Sequence, residues 1–512
     1  MKLKLAVFLA AFILILSACS SNQSEQNKKD NNGEGLETTS FKTLTGKEFN
    51  LVAKAATHQL NSNVTVDAWT FNGSVPGPQI RVKEGERVKI NFKNKLSEPV
   101  SIHWHGVNVP NDMDGIPGVT QNAVKPGETF TYEFTASVPG TYMYHSHQNS
   151  VNQVDMGLYG SFIVEPREKT YDRDYTLMLD EWISNPKNST MSTNESGSMD
   201  HGNMSGMSHS SSTKDQKNKN GMGHDMSIYD IFTINGKSGD TIKPLKVKEG
   251  ETVRLRLANI GYLSHNLHLH GHQFKVVAID GHELNEPKKL KDQLIAIAPG
   301  ERYDIEFIAN NPGKWFLEEH GKTKGKDGMK TMIQYEGTSK SNDHSNQNEN
   351  LPIFNYTNYG GAKNGEFTLD QKYEVEYKME LNGNNMDNNW TINGKSFPNI
   401  ESLNVKKGDL VKVKLVNNSP KGVDHPMHLH GHSFQVLSKN GNPLTGSPII
   451  KDTINLKPGD TYIVAFKADN PGNWMFHCHD LHHATGGMVD VVNYEGYKSN
   501  YTPDPNTGNK PE

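Results

Sequence analysis

Apolar and polar residues alternate over much of the chain. In "VKEGERVKINFKN", which begins at Val82, the apolar residues Val88, Ile90 and Phe92 are separated by charged or polar ones. The same alternation recurs from Phe130 to Phe134 and from Val411 to Leu415. A two-residue period is typical of strands that bury one face. Because the runs are short, are separated by Gly, Pro and Asn, and are accompanied by no long helical period, the sequence predicts an all-β protein built from β-sandwiches.

One series of landmarks occurs three times along the chain. Each copy has an "NG" turn, a glycine-containing strand start, a histidine-rich segment and a closing "PG" segment. The histidine segments are "HWHG" at His103, "HLHGH" at His268 and "HLHGH" at His428, and the closing segments are "PGTYMYHSH", "PGKWFLEEH" and "PGNWMFHCH". A repeat of this kind indicates one domain type used three times. We therefore expect three consecutive sandwiches, at residues 39–168, 169–340 and 341–512.

The N-terminal segment has the features of an export signal. Two lysines precede an apolar run from Leu5 to Ile15, which is too short for a comfortable membrane span, and "LSAC" resembles a bacterial lipobox. We expect residues 1–19 to be a lipoprotein signal peptide, with the lipid on Cys19. Residues 20–38 are polar and read as a flexible tether. The folded part would then lie on the outer face of the bacterial cell membrane, held there only by its lipid; an ordinary secretory signal that discards Cys19 is the alternative.

Charge and cysteine content narrow the range of functions. The formal net charge of -5 provides no broad basic surface, so a nucleic-acid partner is not expected. The chain has two cysteines, and only Cys478 would remain unmodified after export. Exported proteins usually pair their cysteines in disulfides. A single thiol between two histidines, in "HCH", is better explained as a metal ligand.

Four His-x-His pairs occur in the outer two copies. Because side chains two residues apart on a strand point to the same side, each pair can aim both rings at one place. Imidazole is a preferred ligand of copper, and no carboxylate accompanies these rings. The alternative, hydrogen-bonded core histidines, is favoured for a lone histidine but not for a set in register with the repeats. The pairs are His103 with His105, His145 with His147, His428 with His430, and His477 with His479.

Cys478 must point to the face of its strand opposite to His477 and His479. It would therefore belong to a second site, joined to the first by a few covalent bonds. Together with His425 and His483, and with Met488 as a weak axial ligand, it fits a blue-copper electron-transfer centre.

These motifs resemble those of three-domain multicopper oxidases of the laccase and cuprous-oxidase kind. The resemblance runs from about Thr39 to Tyr497 and includes "HWHG", "HSH", "HPMHLHGH" and "HCH-x3-H-x4-M". It implies three cupredoxin-like Greek-key β-sandwiches and four copper ions. It also implies one-electron oxidation of a reducing substrate coupled to four-electron reduction of O2 to water.

The resemblance also implies a role for each ligand. The type 1 copper would be held by His425, Cys478, His483 and axial Met488, and the type 2 copper by His103 and His428. The type 3 pair would be held by His105, His145 and His479 on one ion and by His147, His430 and His477 on the other. Asp114 matches the acidic position beside the cluster and is the candidate proton donor.

Three further carboxylates are weaker candidates. Asp480 is a hypothetical proton relay because it follows His479. Asp424 and Asp452 are candidate acids near the type 1 site, although ordinary surface carboxylates are an equal alternative.

The middle copy departs from the pattern, because Glu318 and Glu319 stand where the third copy has His477 and Cys478. It should lack a blue-copper centre and act as a spacer, although its histidines could take up an adventitious metal. It also carries an insert, residues 186–226, in which six of the chain's 18 methionines fall between residues 191 and 226. Thioether sulfur favours Cu(I), so the hypothesis is that this insert captures copper. A tolerated low-complexity insertion is the alternative.

Cu(I) is the expected substrate, and copper tolerance the expected role. A laccase-type oxidase of phenols, aromatic amines, Fe(II) or Mn(II) is the nearest alternative. A copper nitrite reductase is disfavoured by the four His-x-His pairs. A non-catalytic, copper-sequestering lipoprotein is disfavoured because storage does not require a cysteine joined to a cluster.

Overall fold

The structure, a computed structural model, describes residues 42–184, 228–323, 325–337, 350–384 and 388–511. All of these belong to one compact unit, Leu36–Glu512. The predicted signal peptide with Cys19, the tether and the insert at 186–226 lie outside the described residues.

The N-terminal part forms two four-stranded sheets, in the orders β1-β4-β8-β7 and β3-β2-β5-β6. Their strands are β1 (Thr43–Thr45), β2 (Glu48–Gln59), β3 (Thr65–Phe71), β4 (Gly77–Lys83), β5 (Glu86–Asn94), β6 (Thr129–Ala136), β7 (Gly140–His145) and β8 (Tyr159–Glu165). We call this pair of sheets the first sandwich.

The middle part forms a six-stranded sheet, β10-β9-β12-β17-β14-β15, and a five-stranded sheet, β11-β19-β18-β13-β16. The strands of this second sandwich are β9 (Arg173–Trp182), β10 (Ile231–Ile234), β11 (Leu245–Val247), β12 (Thr252–Asn259), β13 (His265–Leu269), β14 (Phe274–Ile279), β15 (His282–Glu283), β16 (Leu294–Ile297), β17 (Arg302–Ile308), β18 (Lys314–Glu319) and β19 (Lys330–Tyr335).

The C-terminal part repeats the plan of the second sandwich. One sheet has the order β21-β20-β23-β29-β25-β26 with β27 paired to β25, and the other has the order β22-β31-β30-β24-β28. The strands of this third sandwich are β20 (Val375–Asn382), β21 (Thr391–Ile392), β22 (Leu403–Val405), β23 (Leu410–Asn417), β24 (His425–Leu429), β25 (Phe434–Lys439), β26 (Asn442–Pro443), β27 (Ile449–Lys451), β28 (Thr453–Leu456), β29 (Thr461–Lys467), β30 (Asn473–Cys478) and β31 (Val489–Tyr494).

Helices are few and short in the described part of the chain. The α-helices are α1 (Ser150–Asp155) and α2 (Leu481–Thr485), and 3-10 turns occupy Asn111–Met113, Gly239–Thr241, Lys326–Gly328, Tyr356–Asn358 and Pro505–Thr507. None of the described helices is long and apolar enough to cross a bilayer. The prediction of an all-β fold is confirmed, whereas the domain boundaries at residues 168 and 340 stay predictions.

The two-residue period places the core residues as the sequence pattern predicts. Along β5, Val88, Ile90 and Phe92 are fully buried while the residues between them are only partly buried. Several strands depart from this alternation, and β7, β24 and most of β30 are among those buried on both faces. A strand buried on both faces can contribute to its own core with one face and to a contact with a neighbouring sandwich with the other.

Strand β30 shows this division. Trp474, Phe476 and Cys478 pack in the core of the third sandwich. Met475, from the other face, packs against Ile116 of the first sandwich. The interface between these sandwiches therefore lies against the face that carries His477.

Arg302, at the start of β17, connects all three sandwiches. Its guanidinium donates two hydrogen bonds of 2.6 Å to the Asp452 carboxylate of the third sandwich. Its Nε donates to the carbonyl of Thr141 in the first sandwich, at 3.0 Å. Arg302 and Asp452 are almost fully buried. Two buried charges are tolerated when they form a well-oriented ion pair, and the bidentate contact between Arg302 and Asp452 is such a pair. This contact therefore fixes how the sandwiches meet.

A buried lysine lies next to this junction. The Lys451 ammonium is fully buried, 3.0 Å from an Asp280 carboxylate oxygen and 3.1 Å from one of Glu301. Burial alone would lower the pKa of Lys451, but the two carboxylates hold it well above its usual value. The lysine is therefore charged and compensates two buried acids of the second sandwich.

Replacing Lys451 with Met should destabilise the protein by about 3–5 kcal/mol, because the change leaves Asp280 and Glu301 buried without their cation. The control is Lys89→Met, which removes a solvent-exposed pair with Glu48 and should cost less than about 1 kcal/mol. Scanning calorimetry of both apoproteins checks this. Equal unfolding temperatures for the two variants would contradict it.

Candidate metal centres

Eight imidazoles gather where the first sandwich meets the third. Four belong to the first sandwich: they lie at the end of β7, just after it, and in the segment that precedes the 3-10 turn Asn111–Met113. The other four belong to the third sandwich and lie on β24 and β30 or just after these strands. Each of them is at most 2% exposed: His103, His105, His145, His147, His428, His430, His477 and His479. The structure thus brings together every histidine of the four predicted pairs.

The rings form one continuous set that contains the three predicted ligand sets. In the first, the centroids of His105, His145 and His479 are 4.7 to 5.8 Å apart. In the second, those of His147, His430 and His477 are 5.0 to 5.4 Å apart. The third is the pair His103 and His428, at 5.7 Å. Shorter contacts join these sets, because His103 stacks on His430 at 3.9 Å and His105 on His428 at 3.8 Å, so the assignment of each ring to one ion stays a prediction.

Asp114 and Asp452 each orient two rings of the cluster. The Asp114 carboxylate lies 3.0 Å from His430 Nδ1, and the Asp114 backbone carbonyl accepts a hydrogen bond from His103 Nδ1 at 3.0 Å. An Asp452 carboxylate oxygen lies 3.3 Å from His105 Nε2, and the Asp452 backbone carbonyl accepts a hydrogen bond from His428 Nδ1 at 3.1 Å. A ring whose one nitrogen is fixed by a carboxylate presents its other nitrogen in a defined direction, which is how metal-binding histidines are usually held.

Several of the remaining ring nitrogens are buried and lack a hydrogen-bond partner. They are His103 Nε2, His105 Nδ1, His145 Nε2, His428 Nε2 and His479 Nε2. Each unsatisfied buried polar atom costs about 1–3 kcal/mol. Coordination by a metal ion would satisfy all of them at once, so the donor set fits copper.

Six of the rings are kept neutral by their surroundings. Burial, reinforced by the neighbouring imidazoles, holds the pKa of His145, His430 and His479 well below the usual range. Burial acts in the same direction on the pKa of His105, His147 and His477. A neutral imidazole keeps the lone pair that a metal needs.

A second group of donors lies on the other face of β30. Cys478 Sγ is 3.5 Å from His483 Nδ1 and 3.7 Å from His425 Nδ1. The thiol is fully buried, and Met488 is buried in the same core. The Met488 carbonyl accepts a hydrogen bond from the Cys478 amide at 3.1 Å, which ties the two ends of this segment together. The Trp390 ring lies 3.7 Å from that of His483 and covers the group.

The alternation of side chains along β24 explains why the imidazole cluster and the Cys478 group are separate. His425, Met427 and Leu429 alternate with His428 along the chain, and Met427 and Leu429 pack in the core that contains Cys478. His428 therefore faces the other way, toward the first sandwich. Successive side chains thus point to opposite faces on β24, as they do on β30, where the "HCH" motif predicts it.

Three details differ from the expectations. Only part of each His-x-His pair lies in a strand: His103 forms an isolated bridge with His145, and His105 lies in a turn. The second histidine of a pair can therefore reach the cluster from a turn or bend at the end of a strand, as His430 and His479 also do.

Asp452 lies beside the cluster, not beside the type 1 group as expected. The reason is the register of β28 on β24, which pairs His428 with Thr453 and His425 with Leu456. Asp452 therefore stands at the cluster end of β24.

Asp480 also faces away from the cluster, although His479 precedes it. Its carboxylate caps α2 by accepting from the His482 amide, and it lies 3.3 Å from His483 Nε2. These contacts give the hypothesis of a proton relay from Asp480 to the cluster no support, and it stays a prediction. Asp424 does lie near the type 1 group, in a cavity that His483 also lines.

Three residues that contact or support the cluster give no signal in the sequence. Thr453 Oγ1 lies 3.2 Å from His105 Nε2, Arg302 holds Asp452, and His147 Nδ1 donates to the Pro511 carbonyl at 2.5 Å. Their spacing from the motifs gave no signal, because they reach the cluster through strand register and chain packing.

The second sandwich has no thiol at the matching position. Glu319 pairs with Leu267 as Cys478 pairs with Met427. Its carboxylate lies 3.5 Å from His265 Nδ1, and that of Glu181 lies 2.9 Å from His265 Nε2. Burial opposes the charge on His265, but the two carboxylates raise its pKa to about 9. An ion pair thus stands where the third sandwich has its type 1 group.

Comparison with known proteins divides the chain into three matched segments. Residues 53–169, 173–339 and 370–496 match three multicopper oxidase domain families. The multicopper oxidase MmcO of Mycobacterium tuberculosis is 30% identical over 84% of this chain and 83% of its own length. Copper resistance protein A of Escherichia coli is 25% identical over 88% of this chain and 93% of its own. The crystal structure of a multi-copper oxidase from Pseudomonas thermotolerans superposes with a TM-score of 0.64 at 26% identity, covering 88% of this chain and all of the other.

Replacing Asp114 with Asn should lower the affinity of the cluster for copper about 10–100-fold, because the carboxylate that orients His430 is lost. Asp112→Asn, an exposed position in the same turn, is the matched control. Copper content after dialysis against a chelator measures the effect. Equal copper retention in the two variants would show that the Asp114 carboxylate does not position His430.

Proposed function

The chain belongs to the multicopper oxidase family, and we propose that this member is a cuprous oxidase that protects cells against copper. Proteins of this family are oxidoreductases that hold one type 1, one type 2 and a pair of type 3 coppers. When bound, these ions accept single electrons from a reducing substrate and reduce O2 to water. The protein chain must hold the two sites, connect them and admit the substrate.

The observation that carries the proposal is the position of Cys478 between the two sites. Its thiol faces His425 and His483, while His477 and His479, its chain neighbours, face the cluster. The connection from thiol to imidazole thus consists of covalent bonds along one strand. Because the strand is hydrogen-bonded on both sides, to β24 and β31, this connection has little freedom to move.

A cavity of about 240 Å³ leads to the type 1 group. It is lined by His483, Asp424, Asp480, Tyr262, Pro299 and Pro426, among others. The Asp480 carboxylate lies 3.3 Å from His483 Nε2, and His483 Nδ1 lies 3.5 Å from the Cys478 thiol. A substrate held by Asp480 would therefore be one imidazole away from the type 1 position.

The charge of this cavity favours a cation. Two carboxylates line it, and no lysine or arginine is among the described residues that line it. Carboxylates attract Cu(I) electrostatically, while a neutral phenol gains nothing from them. One relative bears the name copper resistance protein A, which is consistent with Cu(I) as the substrate. Fe(II) and Mn(II) are alternatives because the same carboxylates attract them, and phenols are an alternative because the cavity also has apolar walls.

Two parts of the proposal concern residues outside the described ones. We propose that the protein is exported and anchored through a lipid on Cys19, on the basis of the N-terminal sequence. We also propose that the methionine-rich insert at 186–226 delivers Cu(I), on the basis of its composition.

Replacing Cys478 with Ser should abolish both the blue absorption band and O2 uptake, because the hydroxyl cannot replace the thiolate. The protein is reconstituted anaerobically with copper, and O2 uptake is then measured with Cu(I), Fe(II) and a phenol. The wild type should be fastest with Cu(I). Faster uptake with the phenol would identify a laccase, and a colourless wild type without uptake would leave only copper sequestration.

Replacing Asp424 and Asp480 with Asn should lower kcat/KM for Cu(I) at least about tenfold and leave that for a neutral phenol within about twofold, because only the cation loses its electrostatic attraction. Asn at position 480 can still cap α2. Asp370→Asn, an exposed carboxylate, is the control. An equal loss with both substrates would contradict a cation-binding role for the cavity.

A further inference from the structure

Three histidines of the second sandwich form a cluster outside the copper centres. They are His268 on β13, His270 just after it and His320 just after β18. Their ligand nitrogens all lie within 4.8 Å of one another. The ring centroids are 4.1 Å apart for His268 and His270, 5.0 Å for His268 and His320, and 5.4 Å for His270 and His320. This spacing is close to that of the group of His147, His430 and His477.

A carboxylate completes the cluster. Glu318 Oε1 lies 2.8 Å from His270 Nε2 and 3.7 Å from His320 Nε2. Burial would raise the pKa of Glu318, but hydrogen bonds from His270, His320 and Lys330 hold it well below the usual range. The carboxylate is therefore charged, and three imidazoles with one carboxylate form a donor set that divalent transition metals accept.

His268 provides an independent indication of a ligand. It is 2% exposed, and neither of its ring nitrogens has a hydrogen-bond partner. The nearest carboxylate, from Asp292, is 3.9 Å away. Burial and the two neighbouring imidazoles lower the pKa of His268 to about 4, so the ring is neutral. A buried, neutral imidazole without a partner is costly unless something binds it.

Strand register explains how the cluster arises. His268 pairs with Glu318 on β13 and β18, as His428 pairs with His477 on β24 and β30. His270 and His320 occupy the positions of His430 and His479. The second sandwich thus retains a half of the copper cluster, with Glu318 in place of one histidine.

We propose that His268, His270, His320 and Glu318 bind one divalent cation of the kind that prefers imidazole, Cu(II) or Zn(II). The side chain of His320 is 10% exposed and that of Glu318 is 21% exposed, so the ion can enter from solvent. The ligand atoms are close enough for small ring rotations to place them at bond distances of about 2.0–2.1 Å. The site has no thiol and is not joined to Cys478, so it binds metal without taking part in electron transfer. It stands independently of the proposed substrate.

Lys330 should weaken metal binding at this site. Its ammonium lies 2.6 Å from Glu318 Oε2 and competes with a metal ion for that carboxylate. Replacing Lys330 with Gln should therefore tighten metal binding, whereas removing histidines should weaken it. Misfolding would only weaken it.

The test is a calorimetric titration of the full-length, copper-loaded protein with Zn(II) alone. Wild type should bind one more Zn(II) than His268→Asn/His320→Asn, and Lys330→Gln should bind it at least about tenfold more tightly than wild type. His282→Asn, another histidine of the second sandwich, is the control and should behave as wild type. Retention of the blue band shows that each variant is folded.

Equal Zn(II) stoichiometry in wild type and in the double variant would overturn the proposal. If the double variant fails to fold, Lys330→Gln decides: tighter binding supports the site, and unchanged binding overturns it. A parallel titration with Cu(II), followed by electron paramagnetic resonance, should show nitrogen couplings from an additional copper that the double variant lacks.

Discussion

The alternation of side chains along β30 is the constraint on which the rest of the structure depends. Successive residues of a strand point to opposite faces, so His477 and Cys478 cannot serve the same site. The thiol faces the core of the third sandwich, and the imidazole faces outward. The outward face then needs a partner that completes a ligand set, and the first sandwich supplies it with His103, His145 and their neighbours. The same alternation on β24 separates His425 from His428.

Burial of the rings allows this arrangement to bind metal ions. The eight rings are removed from water, and burial and mutual repulsion keep most of them neutral, so they can act as ligands. Asp114 and Asp452 hold rings in place, and Arg302 fixes Asp452 from the second sandwich. The second sandwich therefore contributes to the cluster without a ligand of its own, through a buried ion pair whose geometry depends on all three parts of the chain.

Local pattern was sufficient for the fold class and for the set of candidate ligands. The alternation of apolar and polar residues identifies strands such as β5 directly. A His-x-His pair on a strand implies that both rings point to the same side. Features set by the pairing of distant segments were not predictable in this way. Asp452 stands beside the cluster because of the register of β28 on β24, and Asp480 turns toward His483 because it caps α2. The contacts of Arg302 and Pro511 depend on how the sandwiches and the C-terminal segment pack, which no local pattern encodes.

In this structure one strand both separates and connects two copper sites. Anomalous diffraction at the copper edge, from crystals of the copper-reconstituted protein, would locate the ions. We expect three peaks among the eight imidazoles between the first and third sandwiches, and a fourth beside Cys478, His425 and His483. A peak count below three at the cluster in fully loaded, active protein, or a thiol without copper, would contradict it.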